Sequence, residues 1–256
     1  ACSMALAFNV RGLMNAQFAV QGDELYLIEV NPRASRTVPF VSKAVGKPLA
    51  KIAAQVMLGA KLKEFNLPPA LDERLTQYHV KGAVFPFNRF DNTDTILGPE
   101  MRSTGEVMGR APTFGAAFAK ALLGNSMKLP RKGKVFVSVR NEDKSTALSV
   151  CREFARHGLE LYATQGTNEF LTQHGVKSNA VKKYQDGSPN CVDMLRLKEF
   201  ALVVNTTSDE KAVLDSYLIR RTALESKVPC LTTISEALAL LKALEIKEEE
   251  LGVQPL

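Results

Sequence analysis

Cysteine and histidine are scarce in this chain, four and three residues respectively among 256. Cys2, Cys151, Cys191 and Cys230 form no CxxC pair and have no histidine beside them at metal-ligand spacing, which excludes a zinc finger and a disulfide-stapled scaffold. A reducing compartment is expected. No apolar stretch reaches the length of a bilayer crossing, and the N-terminus lacks the basic-then-apolar layout of a signal peptide. Cytoplasm is therefore expected, with no membrane partner. Excess charge of one sign is also small: 33 Lys and Arg against 27 Asp and Glu leave +6. That suits anionic small molecules but is too diffuse for a nucleic-acid-binding stripe, so no nucleic-acid partner is expected.

What is present is ordinary globular composition, 45% hydrophobic and 23% charged, in a chain long enough for two moderate domains. It opens on Ala1-Cys2-Ser3, in sequence with a mid-domain character, and a fragment of a longer protein is expected. Residues 16–30, AQFAVQGDELYLIEV, place two β-rich runs around a Gly22-Asp23 turn and predict a hairpin. Leu49, Ile52, Ala53, Val56 and Met57 follow helical spacing up to Gly59. The stretch FNLPPALDERL predicts loop and short helix, HVKGAVFPFNRF extended chain, and DNTDTILGPEMRSTGEVMGRAPT mostly irregular structure. FGAAFAKALLGN predicts a helix ended by Gly124-Asn125, and SMKLPRKG has linker composition. A boundary near residue 128 gives domains 1–127 and 128–256.

Beyond it the grammar is regular. Strands KVFVSVR, LELYAT, NAVKKY, FALVVN and CLTT alternate with helices ALSVCREFARHG, NEFLTQHG, VDMLRLKE, VLDSYLIRRTALES and ISEALALLKAL. Alternation at this spacing means right-handed crossovers and a parallel sheet covered on both faces, a doubly wound α/β fold.

Two polar constellations stand out. In IEVNPRASRTVPF, residues 28–40, Glu29 and Asn31 lie two apart on a strand and share a face, and Gln17 of the partner strand can join them. Such oxygen donors suit Mg²⁺, which shares phosphates with a substrate, while Arg33 and Arg36 can fork onto the phosphate oxygens left uncovered. A strand-end salt bridge between Glu29 and Arg33 is the simpler alternative. In the second domain the ligand edge is the carboxyl end of the strands. There NEDK, TQGTNE, KK, NTTSDE and TT are polar, small or cationic. Thr164-Gln165-Gly166-Thr167 leads into a helix expected to begin near Asn168, whose free N–H groups and hydroxyls can cradle a phosphate, with Lys144 and Lys183 as countercharge. Caps and turns are the alternative use of those Thr and Asn residues.

The runs GLMNAQFAV, LYLIEVNPRASRTVPFVSKAVG and LGPEMRSTGEVMG resemble the carboxy-terminal part of the large subunit of bacterial carbamoyl phosphate synthetases, from about Arg11 to the last helix. The resemblance implies the end of the second ATP-grasp unit, an α+β fragment, followed by a methylglyoxal-synthase-like regulatory domain. It matches Gln17, Glu29 and Asn31 to ligands of Mg²⁺ or Mn²⁺, and Arg33 and Arg36 to the arginines on the ATP phosphates. Lys144, Thr164, Thr167, Lys183, Asn205 and Thr207 match positions that bind the effectors UMP or IMP. The partners implied are the upstream synthetase domains and a small glutaminase subunit, and homo-oligomers are compatible with it. With half of an ATP site, the chain alone is expected to be inactive. The rival from another class is a free-standing nucleotide sensor.

Some positions depart from the family. A methylglyoxal synthase would carry DPL where NTT stands, and GPxGG where DGSPN stands, which argues against that activity. Gly82 and Leu231 replace acidic groups found in ornithine-activated members, although Asp215 and Thr232 remain. His157 and His174 each precede a helix-ending glycine and fit a structural role at a helix C-terminus; His79 is undecided.

Overall fold

A computed structural model describes residues 1–67, 75–87, 95, 96, 102–206 and 212–252. The chain divides into two compact units, Ala1–Thr76 and Gln77–Val253. Among the described residues no helix is long and apolar enough to cross a membrane.

The first unit begins with α1 (Cys2–Ala7), then β1 (Asn15–Gln21) and β2 (Glu24–Asn31) as an antiparallel hairpin. Gly22 makes the turn at φ 61°, a left-handed conformation that glycine adopts without a Cβ penalty. Gln17 pairs with Glu29 and Phe18 with Leu27, so Ile28 is an extra residue on β2. This bulge flips the alternation. Leu25 and Leu27 face the side of Phe18 and Val20, whereas Glu29 and Asn31 face that of Gln17 and Asn15. Two helices follow, α2 (Thr37–Val45) and α3 (Leu49–Met57). α2 is an element that the sequence analysis does not include; its Pro39 lies in the first turn, where a proline removes no helical hydrogen bond. Gly46, at φ 66°, ends it.

The second unit opens with β3 (Tyr78–Val84) and β4 (Gly105–Ala111), paired antiparallel, and α4 (Phe114–Gly124). β4 lies in the stretch expected to be mostly irregular. Its glycines weaken the strand signal, but Gly109 has a packing reason: a Cβ there would run into the backbone of α4 at Ala117 and Ala121. Thr113 caps α4 by accepting from the Ala116 N–H at 3.3 Å, a bond whose loss costs about 1 kcal/mol. Residue 128 falls between α4 and the next strand, inside this second unit.

Then come β5 (Gly133–Ser138), α5 (Lys144–Arg156), β6 (Leu159–Thr164), α6 (Gln165–Gln173), β7 (Asn179–Val181), α7 (Cys191–Arg196), β8 (Phe200–Asn205), α8 (Ala212–Glu225), β9 (Cys230–Leu231) and α9 (Ile234–Leu244). The strands form one parallel sheet ordered β7-β6-β5-β8-β9. Each face has its own core. Val135, Val137, Leu161, Leu202 and Val204 pack under α5, α6 and α9 with Ala147, Phe154, Leu171 and Leu240. Phe136, Phe200 and Val203 pack under α7 and α8 with Val192, Leu195, Ile219 and Ala223. The doubly wound architecture is thus the one the sequence predicts. Strand order reverses between β5 and β8, which opens a crevice at their carboxyl ends.

Candidate functional site

At that crevice, alternation brings three polar side chains to one face. Val137 pairs with Ala163 and Ser138 with Asn205, so Ser138, Thr164 and Asn205 end three adjacent strands on the side of α7 and α8. The α6 helix begins at Gln165, three residues earlier than expected, which makes Thr164 its N-cap and puts Gly166 and Thr167 in its first turn. The Thr164 hydroxyl makes no capping bond. It donates to Thr167 Oγ1 at 3.3 Å and reaches Ser138 Oγ at 3.5 Å. Both threonines are buried, at 5% and 3% exposure. Buried hydroxyls that hold each other, beside a helix end uncapped by any side chain, keep that turn's N–H groups available to an anion.

Lys144 opens α5 and reaches across to this corner: its Nζ donates to Gly166 O at 3.0 Å and lies 6.0 Å from the Phe170 ring centroid. Arg140 pairs with Asp143 at 2.8 Å, so the carboxylate preceding Lys144 is already neutralised by another cation. That pairing raises the Arg140 guanidinium above its ordinary value, first through the hydrogen bond and then through the charge of Asp143. Lys183 stands exposed just beyond β7, whose Val181 pairs with Thr164. The structure therefore brings Lys144, Thr164 and Thr167 together and leaves Lys183 at the same sheet edge. Asn205, 1% exposed, spends its amide on α8: Nδ2 donates to Ser216 O at 3.3 Å, and Ser216 Oγ donates to Oδ1 at 3.5 Å. Thr207 lies outside the described residues.

Sequence reasoning left out Ser138 and Thr206. Thr206 Oγ1 accepts from Arg140 N at 3.1 Å, and its N–H donates to Ser138 O at 3.0 Å, tying the ends of β5 and β8. A serine late in the apolar run KVFVSVR was the available signal for Ser138.

In the first unit the register sets Gln17 directly opposite Glu29, and Asn31 Nδ2 donates to Glu29 Oε1 at 2.9 Å. Glu29 makes no ion pair with Arg33, whose Nη1 instead donates to Ala34 O at 3.0 Å. Arg36 is the N-cap residue of α2. Among the described residues no three His, Cys, Asp or Glu side chains converge as a metal cluster. The Gln17, Glu29 and Asn31 set is different in kind, one carboxylate with two amide carbonyls. Its hard oxygen donors fit Mg²⁺ or Mn²⁺. At Gly82 a Cβ would come within 2.9 Å of Asn125 Nδ2 and Val107 Cγ2, and Leu231 is buried in the sheet core. The space that an acidic side chain would need at position 82 is filled by Asn125.

Comparison with known proteins matches residues 1–65 to the ATP binding domain of the carbamoyl-phosphate synthase L chain, and residues 146–232 to the MGS-like domain. Over nearly its whole length the chain is similar to part of the carbamoyl phosphate synthase large chains. The carbamoyl phosphate synthase large chain of Pseudomonas syringae pv. tomato is 50% identical over 247 residues, 96% of this chain and 23% of its own. That of Pasteurella multocida is 51% identical over 243 residues, 94% and 23% respectively. The carbamoyl phosphate synthase large chain, C-terminal section, of Aquifex aeolicus is 45% identical over 270 residues, 98% and 50%. The chain thus spans between 23% and 50% of the length of these relatives. A methylglyoxal synthase structure from Elizabethkingia anophelis NUHP1 covers 44% of the chain at a TM-score of 0.35 and 17% identity, too low for any argument.

Proposed function

We propose that this chain is the regulatory end of a carbamoyl phosphate synthetase that makes carbamoyl phosphate from bicarbonate, ammonia and ATP for arginine and pyrimidine synthesis, ammonia coming from a small glutaminase subunit. The parallel-sheet part of the second unit, within 128–256, is its nucleotide effector module, binding UMP or IMP. The observation that carries this reading is the corner where Lys144 Nζ, held 3.0 Å from Gly166 O, stands over the turn built on the buried Thr164–Thr167 pair. A phosphate seated there meets N–H groups, hydroxyls and one cation together. An effector of this kind changes activity only by binding two conformations unequally. The affinity for the effector and the affinity of the synthetase for its own ligands are then coupled in both directions.

In the first unit Gln17, Glu29 and Asn31 would hold Mg²⁺ or Mn²⁺, which when bound neutralises phosphate charge. Arg33 and Arg36 carry two more positive charges on the same segment and orient the phosphates of ATP. In phosphoryl transfer the protein mainly positions groups and offsets charge. The hairpin that bears these residues leaves Val20, Leu25 and Ile28 at 70%, 64% and 64% exposure. Isolated two-stranded ribbons are marginal in water, so the ATP site is completed by further sequence of the synthetase, and the chain alone gives no turnover.

Calorimetric titration with UMP, repeated for Lys144→Ala, tests the effector assignment. Binding that the substitution weakens at least tenfold is the expected result. Absence of binding to the folded chain, or binding indifferent to Lys144→Ala, removes it.

A further inference from the structure

A phosphate cradle alone does not tell a nucleotide from a sugar phosphate; that distinction needs a surface for the base. Aromatic side chains are sequence-tolerant platforms for bases. Among the described residues around the strand ends of the second unit, Phe170 and Tyr162 are engaged and Tyr217 of α8 is half-buried, whereas Tyr184 is exposed. Phe170 lies 4.3 Å from the His174 ring and under Lys144. Tyr162 packs on Phe200 at 5.8 Å and carries Lys134 at 5.1 Å. Tyr184 is 47% exposed and, among the described residues, its ring meets no other ring or cation and its hydroxyl no hydrogen-bond partner.

Its position is fixed although its side chain is free. Val181 of β7 is the register partner of Thr164, and Lys183 and Tyr184 follow two and three residues later. Neighbouring strands lie about 4.8 Å apart, and three extended residues span at most about 11 Å. Tyr184 therefore stands within one nucleotide's reach of the Thr164–Thr167 corner. The loop that bears it is closed at its neck by the Cys191 N–H on Lys182 O at 3.0 Å. Inside the loop Lys183 N–H donates to Asp186 Oδ2 at 3.1 Å, Asn190 Nδ2 to Gly187 O at 3.2 Å, and Ser188 Oγ to Asp193 Oδ2 at 2.7 Å. A pinned loop holding an unpartnered ring loses little freedom when that ring is covered.

We propose that Tyr184 is the stacking platform for the base, and that it makes the site select nucleoside monophosphates over plain sugar phosphates. The inference rests on the effector reading above. It is tested by titrating the full chain, Tyr184→Ala and Tyr184→Phe with UMP, IMP and ribose 5-phosphate. Removing the ring is expected to weaken UMP and IMP about tenfold, with Tyr184→Phe within twofold of the parent and ribose 5-phosphate unaffected by either change. Because the chain has no tryptophan, Tyr184→Trp adds a single indole, whose emission should be quenched by UMP and unchanged by ribose 5-phosphate. If UMP binds the parent and Tyr184→Ala equally, the platform is elsewhere and the effector reading stands. If ribose 5-phosphate weakens as much as UMP, Tyr184 acts on the phosphate or the loop, and the proposal fails. If the parent binds no nucleotide, both readings fall together.

Discussion

The hydroxyls of Thr164 and Thr167 face each other across 3.3 Å in a nearly closed environment, one from a strand end and the other from the first turn of the following helix. Thr164→Val keeps the shape and deletes the donor, leaving Thr167 without that partner. A stability loss of about 1 kcal/mol is expected. If the hydroxyl also meets a phosphate, UMP affinity falls at least tenfold, since hydrogen bonds to charged groups are worth about 1.5–3 kcal/mol. Urea unfolding and calorimetry on the same variant read the two effects. Unchanged affinity would take Thr164 out of the site.

At Gly109 the constraint is steric. β4 lies so close to α4 that an added Cβ would strike backbone atoms of Ala117 and Ala121, which cannot rotate away. Gly109→Ala should destabilise the second unit by about 3 kcal/mol, the upper part of the overpacking range. Gly105→Ala, where nothing lies within 4 Å of the added atom, is the matched control in the same strand. Equal urea midpoints for the two variants would contradict this packing.

Burial pushes the Cys151 thiol from 9.0 up to about 12. The unfolded chain therefore loses its proton at lower pH than the native one. Stability from the buried neutral thiol is complete below about pH 9 and is lost as pH rises through about 12, at a slope of about 1.4 kcal/mol per unit. Cys151→Val should remove that part of the alkaline slope. Urea midpoints measured from pH 8 to pH 11 on both proteins decide it, and parallel curves would refute it.

The hairpin of the first unit should open far more easily than the sheet of the second. Its Val20, Leu25 and Ile28 are well exposed, whereas Val135 and Phe136 are fully buried. Native-state hydrogen exchange should show amides of β1 and β2 exchanging through local opening and those of β5 and β8 only through unfolding of their unit. Equal protection in the two sets would rule out a marginal hairpin.

Legibility in the sequence followed the strength of local patterning. The runs LELYAT, FALVVN and ISEALALLKAL coincide with β6, β8 and α9 because apolar periodicity and Gly or Thr punctuation agree there. β4 was hidden because two of its seven residues are glycines, and one of them, Gly109, is kept for packing against α4, a tertiary reason that no local rule carries. The bulge at Ile28 was likewise invisible. Glu29 and Asn31 share a face by simple alternation, but their placement opposite Gln17, away from Leu27, depends on an extra residue that only the pairing reveals. At the crevice, TQGT announced polar chemistry, while the part played by Asn205 as a clamp on Ser216 required the position of α8.

Ala119 of α4 lies in the same apolar cluster as Val135 and Val137 of the parallel sheet, and Gly115 allows the α4 backbone to approach α9 at Lys242. The ribbon-and-helix segment that precedes residue 128 consequently shares its melting with the sheet that follows. Heat absorbed by one is drawn in the same cooperative event as the other, and a chain cut at residue 128 would lose the Ala119 lining of that cluster and leave its apolar groups hydrated, with a smaller heat-capacity change on unfolding.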